Sequence, residues 1–274
     1  MTELNKPLDV KLAFPLWKAI LTILFGVIIW FTPPPDGLAL HAWQMFAIFA
    51  ATIFAIILKV LPMGAVTMIA LIVSAFLGVT PLSPGKSDKV AALSGFANGT
   101  IWLIGIAMFI SRAVIKTGLG KRVALWFISK CGSSMLGVAY GLALSDVVLG
   151  PGIPSASARG GGIMYPITQS IATAYQSEPG ATARKAGAFL MICVSQIDAI
   201  VCTMFLTAMA GNPLVAELAR SQGIEITWTT WFVGAIAPGI ASLILLPLVI
   251  YAIYPPQLKK TPEIPSIARE ELRK

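Results

Sequence analysis

The chain has 274 residues, of which 57% are hydrophobic and only 12% are charged. A soluble domain carries roughly 25% charged residues, so this composition excludes an ordinary soluble enzyme or binding domain and indicates a membrane protein. The formal net charge of +8 comes from basic residues that cluster at the ends of apolar segments. That distribution is typical of membrane edges and argues against a nucleic-acid-binding surface.

Apolar segments that are long enough to cross a bilayer recur along the chain. They follow a short polar tail, and the first one is too long for a signal peptide and lacks a small-residue cleavage site. The predicted transmembrane helices lie near residues 14–32, 42–61, 63–80, 99–116, 186–210 and 229–251. Residues 118–131 combine basic and apolar positions at helical spacing, which predicts an amphipathic helix on the membrane surface.

Residues 133–176 do not fit the pattern of full crossings. Two apolar segments, 133–149 and 163–176, are joined by the sequence GPGIPSASARGGG at 150–162. Each segment reaches only part of the way across a bilayer at about 1.5 Å per residue. Two half-spans that meet at a tip rich in glycine and proline predict a re-entrant helical hairpin. Since non-helical backbone at membrane depth needs protein or water to satisfy it, we expect this tip to line a cavity. The alternative is a loop that breaks a helix for packing alone.

The basic residues test this layout. With a hairpin at 133–176, nearly all of them fall on one side of the membrane, and only Lys86, Lys89 and Arg220 fall opposite. By the positive-inside rule, both termini are then cytoplasmic and the hairpin opens to the cytoplasm. A single full crossing by the same residues would instead place Arg184 and the C-terminal tail outside.

A second interruption is predicted in MFLTAMAGNPLVAELA at 204–219. A long apolar helix that carries Thr207 is expected to stop at Gly211, Asn212 and Pro213, with a short helix resuming at Leu214. Paired breaks in neighbouring elements indicate a midplane site for substrate and ion in secondary transporters. The alternative is an ordinary helix end, with Gly-Asn-Pro as the stop signal.

Three ionisable residues lie at membrane depth, where a charge is costly and often functional. Asp198 is either a proton or cation site or a hydrogen-bond partner of a neighbouring helix. Asp146 either supports the tip or pairs with Arg159, and Arg159 either attracts an anion or braces the hairpin. A lone histidine, His41, with no Gly-x-Ser-x-Gly motif and no metal-spaced ligands, argues against an intramembrane hydrolase.

Three stretches, PSASARGGGIMYPI at 154–167, FLTAMAGNPL at 205–214 and YPPQLKKTPEIPSIARE at 254–270, carry a resemblance to a known family. The chain resembles the divalent anion:sodium symporters, most closely their citrate, tartrate and 2-oxoglutarate/malate carrier branch. The resemblance implies an all-α polytopic membrane protein. It would have about six transmembrane helices plus one cytoplasm-facing re-entrant hairpin, equivalent to one repeat of an inverted-repeat transporter.

The same resemblance implies a secondary transporter of di- or tricarboxylate anions: citrate, tartrate, succinate, malate or 2-oxoglutarate. Transport would occur by Na⁺ symport or by anion exchange, with no enzyme activity and no cofactor apart from Na⁺ as a coupling ion. In the family the tip reads Pro-Ser-Asn-Thr-Ala-Arg-Gly-Gly, and its Ser-Asn-Thr helps bind sodium and a substrate carboxylate. The expected substrate-binding residues are Ser155, Ala156, Ser157, Asn212 and Pro213. The expected Na⁺ ligands are Ser155, Ala156, Thr207 and Gly211. Ala156 departs from the family pattern because it lacks the central amide.

Family members carry a second, inverted copy of this repeat, whereas these residues supply one. We therefore expect a half-length or truncated carrier that is completed by a second-repeat chain or by another copy of itself. The one-sided charges argue against an antiparallel pair of identical chains. The alternative is a non-transporting membrane fragment or interaction subunit.

The expected setting is a bacterial inner membrane, with the lipid bilayer and a carboxylate anion as partners and no nucleic acid. Along the chain we expect a cytoplasmic tail at 1–12, membrane scaffold helices at 13–117 and an interfacial amphipathic helix at 118–131. A transport-type segment with hairpin and broken helix follows at 132–227. The last transmembrane helix is expected at 228–252 and a second cytoplasmic tail at 253–274.

Overall fold

The computed structural model describes residues 16–82 and 91–273, and the regular elements in these two ranges are helical. Contacts divide the chain into two units, Met1–Asn98 and Gly99–Lys274. The predicted tail at 1–12 and the outer charges Lys86 and Lys89 fall outside the described residues.

The first unit contains three apolar helices. They are α1 (Leu16–Phe31), α2 (Leu40–Ile57) and α3 (Met63–Phe76). Gly26 allows α1 to approach α2 closely, since a Cβ at this position would lie 3.0 Å from the Cβ of Ala51. The ammonium of Lys18 donates to the carbonyl oxygen of Leu58 at 3.0 Å, which satisfies one of the free carbonyls at the end of α2.

The second unit contains eight α-helices within the described residues. They are α4 (Gly99–Lys116), α5 (Leu119–Cys131), α6 (Met135–Leu149), α7 (Tyr165–Ala174), α8 (Gly187–Met204), α9 (Gly211–Ser221), α10 (Trp228–Ile253) and α11 (Ile264–Arg273). Its core is formed largely by α5, α6 and α8, with Leu142 and Phe189 fully buried, and α10 packs on the outer side of α8. The hydroxyl of Tyr140 on α6 donates to Ile244 O on α10 at 2.7 Å.

In the described part of the chain, five helices are long and apolar enough to cross a membrane. They are Leu40–Ile57, Gly99–Lys116, Met135–Gly152, Gly187–Met204 and Trp228–Ile253. The helices α1 and α3 are apolar but shorter, with 16 and 14 residues. Large apolar side chains stand exposed on these helices, among them Phe76 at 89% and Phe109 at 81%. Such a surface suits contact with lipid, and the chain is an all-helical, multi-pass membrane protein.

The amphipathic segment at 118–131 forms helix α5, whose buried face includes Ala124, Leu125 and Ile128. This face is covered partly by α11, an amphipathic helix that was not predicted within the expected tail at 253–274. The exposed ends of α5 and α11 are joined by an ion pair of 3.1 Å between Lys121 and Glu271.

An extended segment, Gln257–Thr261, connects the beginnings of α6 and α8, and we call it the base segment. The amide of Met135 donates to Lys259 O at 3.1 Å, and the amide of Thr261 donates to Ser133 O at 3.0 Å. On its other side, the amides of residues 257 and 258 donate to the carbonyls of Arg184 and Lys185 at 2.9 and 3.0 Å. The start of α6 and the segment that precedes α8 therefore meet on the same strand of backbone.

Candidate functional site

The predicted hairpin tip is built from irregular backbone. After α6 a short 3₁₀ turn covers Gly150–Gly152, and Ile153 is extended before the chain becomes helical again. Residues Ser157–Met164 form a π-helix that continues into α7. The second arm thus begins six residues before the predicted position of 163. Pro166 gives a reason for the widened turn, because proline lacks an amide donor and its ring crowds the carbonyl one α-turn earlier.

The second interruption lies upstream of its predicted position. Helix α8 ends at Met204, Phe205 is extended, and α9 begins at Gly211. The break therefore covers residues 205–210, and Pro213 sits in the first turn of α9, where a missing amide hydrogen costs little.

Asn212 closes the end of α8. Its side chain is buried, and its amide Nδ2 donates to the carbonyls of Cys202 and Phe205 at 2.7 and 2.9 Å. The last carbonyls of a helix have no partner within the helix, so this side chain stabilises the stop. Prediction from sequence placed Asn212 at the break but did not identify this capping contact.

The two breaks lie against each other. The hydroxyl of Thr207, in the α8 break, donates to Pro151 O in the tip at 2.9 Å. Gly150 is required at this approach, since a Cβ there would lie 2.7 Å from Cγ1 of Val201. The structure thus brings the tip and the second break together, as the paired-break pattern predicts.

A buried ionic cluster fastens this junction, and we call its three members, Asp146, Arg159 and Asp198, the triad. Nε of Arg159 donates to Oδ1 of Asp146 at 2.9 Å, and Nη2 donates to Oδ1 of Asp198 at 3.0 Å. The side chains of Arg159, Asp146 and Asp198 are 0%, 1% and 14% exposed. The pairing of Asp146 with Arg159, one of the two predicted alternatives, is observed, and Asp198 forms a hydrogen bond to the same arginine.

Arg159 also reaches the backbone of both breaks. Its Nη1 donates to Ile153 O in the tip at 2.7 Å and to Ala208 O in the second break at 2.6 Å. Its Nη2 further contacts the sulfur of Cys202 at 3.0 Å. Ile153 O also accepts from the amide of Ser155 at 2.8 Å. One guanidinium thus links backbone carbonyls of both breaks.

The limited space at position 160 explains why glycine follows Arg159. A Cβ at position 160 would lie 3.0 Å from Oδ2 of Asp198, so a larger residue would push the carboxyl away from Arg159. The next two glycines, 161 and 162, are exposed. In this sequence the Arg159 side chain is thus buried at the junction, whereas the exposed helix surface at residues 161 and 162 carries no side chain.

The remaining predicted site residues surround the tip. Ser155 is half-buried, and its hydroxyl accepts from the amide of Ala158 at 3.3 Å, which caps the first turn of the second arm. Ala156 is half-buried and Ser157 is exposed. In the first turn of α9, directly after the second break, Gly211 and Pro213 are half-buried. The exposed hydroxyl and the free amides of a helix start offer donors to an anion.

Two open cavities of the second unit lie near the second arm and near the start of α9. A cavity of about 480 Å³ lies between α5, α7 and α11, lined by apolar side chains such as Ile163 and Ile171. A second cavity of about 330 Å³ touches Pro213 and is lined by Glu217 and Arg220. We place the candidate site at the meeting of the two breaks, because that is where polar backbone, hydroxyls and buried charge converge.

Discontinuous helices that meet within an apolar helical bundle are typical of membrane-embedded secondary transporters. Comparison with known sequences agrees: residues 14–274 match the family model described as the sodium:sulfate symporter transmembrane region, and the chain belongs to this family. The chain is 49% identical over 263 residues to the putative malate transporter YflS of Bacillus subtilis (strain 168). It is 45% identical over 262 residues to the chloroplastic dicarboxylate transporter 1 of Spinacia oleracea. It is 42% identical over 246 residues to the inner membrane protein YbhI of Escherichia coli (strain K12).

These matches cover 95%, 95% and 89% of this chain but 54%, 44% and 51% of the three relatives. The chain therefore spans about half the length of the curated relatives it matches.

Proposed function

We propose that this chain supplies one half of a carrier that moves di- and tricarboxylate anions across a membrane. The observation that carries the proposal is the junction of two helix breaks, fastened by the contacts of Thr207 with Pro151 and of Arg159 with Ile153 and Ala208. Such a junction presents helix-end dipoles and free hydroxyls within the apolar layer. Relatives named as malate and dicarboxylate transporters favour a small carboxylate as the anion.

In this proposal the exposed side of the tip binds one carboxylate of the substrate. Ser155, Ala156 and Ser157 would contribute from the hairpin, and Asn212 and Pro213 from the start of α9. Oxygen atoms of Ser155 and Thr207, with the backbone of Ala156 and Gly211, would hold Na⁺ if transport is coupled to it. Anion exchange is the alternative mode.

These residues span about half the length of the relatives, and in this proposal the second half of the site lies outside them. A second repeat or another copy of this chain would supply it. A non-transporting membrane fragment or interaction subunit is the competing function.

We also propose a division of labour along the chain. Residues 13–117 would act as scaffold, 118–131 as an interfacial helix, and 132–227 as the segment that carries the site. Residues 228–252 would form the last transmembrane helix, and the ends at 1–12 and 253–274 would be cytoplasmic tails. The membrane would be the inner membrane of a bacterium.

The hairpin topology has its own test. The start of α6 and residues 184 and 185, which follow the second arm, both bond to the base segment, which supports a hairpin that opens on one side. The basic residues 184, 185, 259 and 260 favour the cytoplasm. Cysteines at exposed Ser133 and Ala181, with Cys131 replaced by serine, are expected to react with an impermeant thiol reagent from the cytoplasmic side only. Gln222→Cys is the matched control and should react from the opposite side. Labelling of positions 133 and 181 from opposite sides would contradict the hairpin.

The transport function is tested with this chain co-expressed with a chain that carries the second repeat. Proteoliposomes of the complex are expected to exchange labelled malate or citrate, measured with and without a Na⁺ gradient. Ala156→Asn should raise the apparent affinity by at least about tenfold, since a hydrogen bond to a charged group contributes about 1.5–3 kcal/mol. Ser157→Ala should lower it, and Ser221→Ala, at an exposed position at the end of α9, is the matched control. Unchanged exchange in both tip variants would rule out the tip as the binding site.

A further inference from the structure

The charges of the triad do not balance. Arg159 supplies one positive charge, while Asp146 and Asp198 supply two negative charges when both are ionised. Among the residues that the structure describes, Arg159 is the cation that forms ion pairs with these two carboxyls. A second carboxylate charge at this depth has a high desolvation cost unless it is compensated.

One oxygen of the triad also lacks a hydrogen bond. Oδ1 of Asp146 accepts from Arg159, but its Oδ2 is buried and has no hydrogen-bond partner in the described structure. The side chain of Asp146 is only 1% exposed, so bulk water does not satisfy this oxygen. A buried polar atom without a partner normally signals a missing proton, water or ion.

The geometry indicates which of these is missing. Asp146 and Asp198 accept from Nε and Nη2 of the same guanidinium, at 2.9 and 3.0 Å, so the two carboxyl groups lie next to each other. Two ionised carboxylates are both acceptors and repel, whereas one carboxylic acid and one carboxylate form a strong hydrogen bond. A single added proton would therefore remove the excess charge and give a carboxyl oxygen a partner.

We propose that Asp146 and Asp198 together bind one proton in the folded protein, so that the triad is a neutral unit of one guanidinium, one carboxylate and one carboxylic acid. The other groups that face the pair are the Arg159 guanidinium from the second arm and the Cys202 thiol from α8. The proton site is a property of the folded chain and does not depend on which anion, if any, the chain carries.

This proposal makes a signed prediction for stability. Aspartates in an unfolded chain are ionised at neutral pH, so unfolding would release the shared proton. A folded state that binds one more proton than the unfolded state loses stability as pH rises. Loss of the shared proton is therefore expected to increase the unfolding equilibrium constant by about tenfold for each pH unit around neutrality.

The decisive experiment compares that pH dependence in the full chain and its single variants, by denaturant titration in mixed micelles. Asp146→Asn or Asp198→Asn leaves one carboxylate for one guanidinium, so no extra proton is needed for charge balance. Each variant is therefore expected to lose the tenfold change in the unfolding constant per pH unit. Glu225→Gln, at an exposed position, is the matched control and should keep it. The double variant Asp146→Asn with Asp198→Asn leaves Arg159 buried without a counter-charge and should raise the unfolding constant on the order of 100-fold or more.

A spectroscopic measurement on the wild-type chain keeps the test independent of variant folding. Infrared spectra of chain labelled with ¹³C-aspartate should contain the carbonyl stretch of a protonated carboxyl at neutral pH, shifted in D₂O. Absence of this band in the folded wild-type chain would overturn the proposal. A wild-type unfolding midpoint that depends on Na⁺ rather than on pH would also overturn it, because a metal cation would then supply the missing charge.

Discussion

Replacement of Arg159 by methionine is expected to destabilise the chain by about 3–5 kcal/mol, because removal of one partner leaves buried charges without compensation. The variant would lose the ion pairs to Asp146 and Asp198 as well as the donors to Ile153 O and Ala208 O. The measurement is the denaturant midpoint of helix loss in mixed micelles, with the yield of monodisperse chain as a second readout. Arg159→Lys keeps the charge but not the planar fork, so it should fall between the wild type and methionine.

Lys121→Met is the matched control for that experiment. It removes the cation of the exposed ion pair with Glu271, in which the Lys121 side chain is 58% exposed. Exposed pairs of this kind contribute about 0–1 kcal/mol, so the midpoint should hardly move. Equal midpoints for Arg159→Met and wild type would show that the contacts of Arg159 do not hold the two breaks together.

Proteoliposomes that contain only these 274 residues are expected to show no uptake or exchange of labelled succinate, malate, tartrate or citrate, with or without a Na⁺ gradient. A dianion has two charged ends, and this junction offers donors for one of them. In an inverted-repeat carrier the substrate lies between two repeats, and alternating access requires one to move against the other. Co-expression with a chain that carries the second repeat should restore transport.

The control for the uptake experiment is the matched full-length relative in the same vesicles, which establishes that the assay detects transport. Saturable uptake by the 274-residue chain alone, lost in Ser157→Ala, would contradict the expectation. That result would require a site shared between copies of this chain.

Much of the helical pattern could be predicted because it depends on local composition. Apolar runs of membrane-spanning length fix where helices such as α2 and α8 lie, and all six predicted spans contain a helix. The break positions were less accurate. Gly211, Asn212 and Pro213 are strong stop signals, yet α8 ends at Met204, because Asn212 reaches back ten residues to the carbonyl of Cys202. The Asn212 cap depends on how residues 205–210 fold, so the end of α8 cannot be located from the Gly-Asn-Pro sequence alone.

The buried triad was visible only as separate charged residues. Arg159 contacts partners that are 13, 39 and 49 residues away in sequence, at Asp146, Asp198 and Ala208. Local periodicity contains no information about such contacts. Helix α11 was missed for a related reason, since a ten-residue polar helix is marginal alone and gains its stability from packing against α5.

The base segment joins α6 to the segment before α8 at the beginning of α6. The triad links α6 and α8 near the other end of α6. Helix α6 has 15 residues and is about 22 Å long. A shift of one attachment point would therefore rotate the helix about the other. A displacement of about 1 Å at Gln257–Thr261 would tilt the arms by about 3° over that length. Because Arg159 ties the tip to the α8 break, both ends of the junction would swing together.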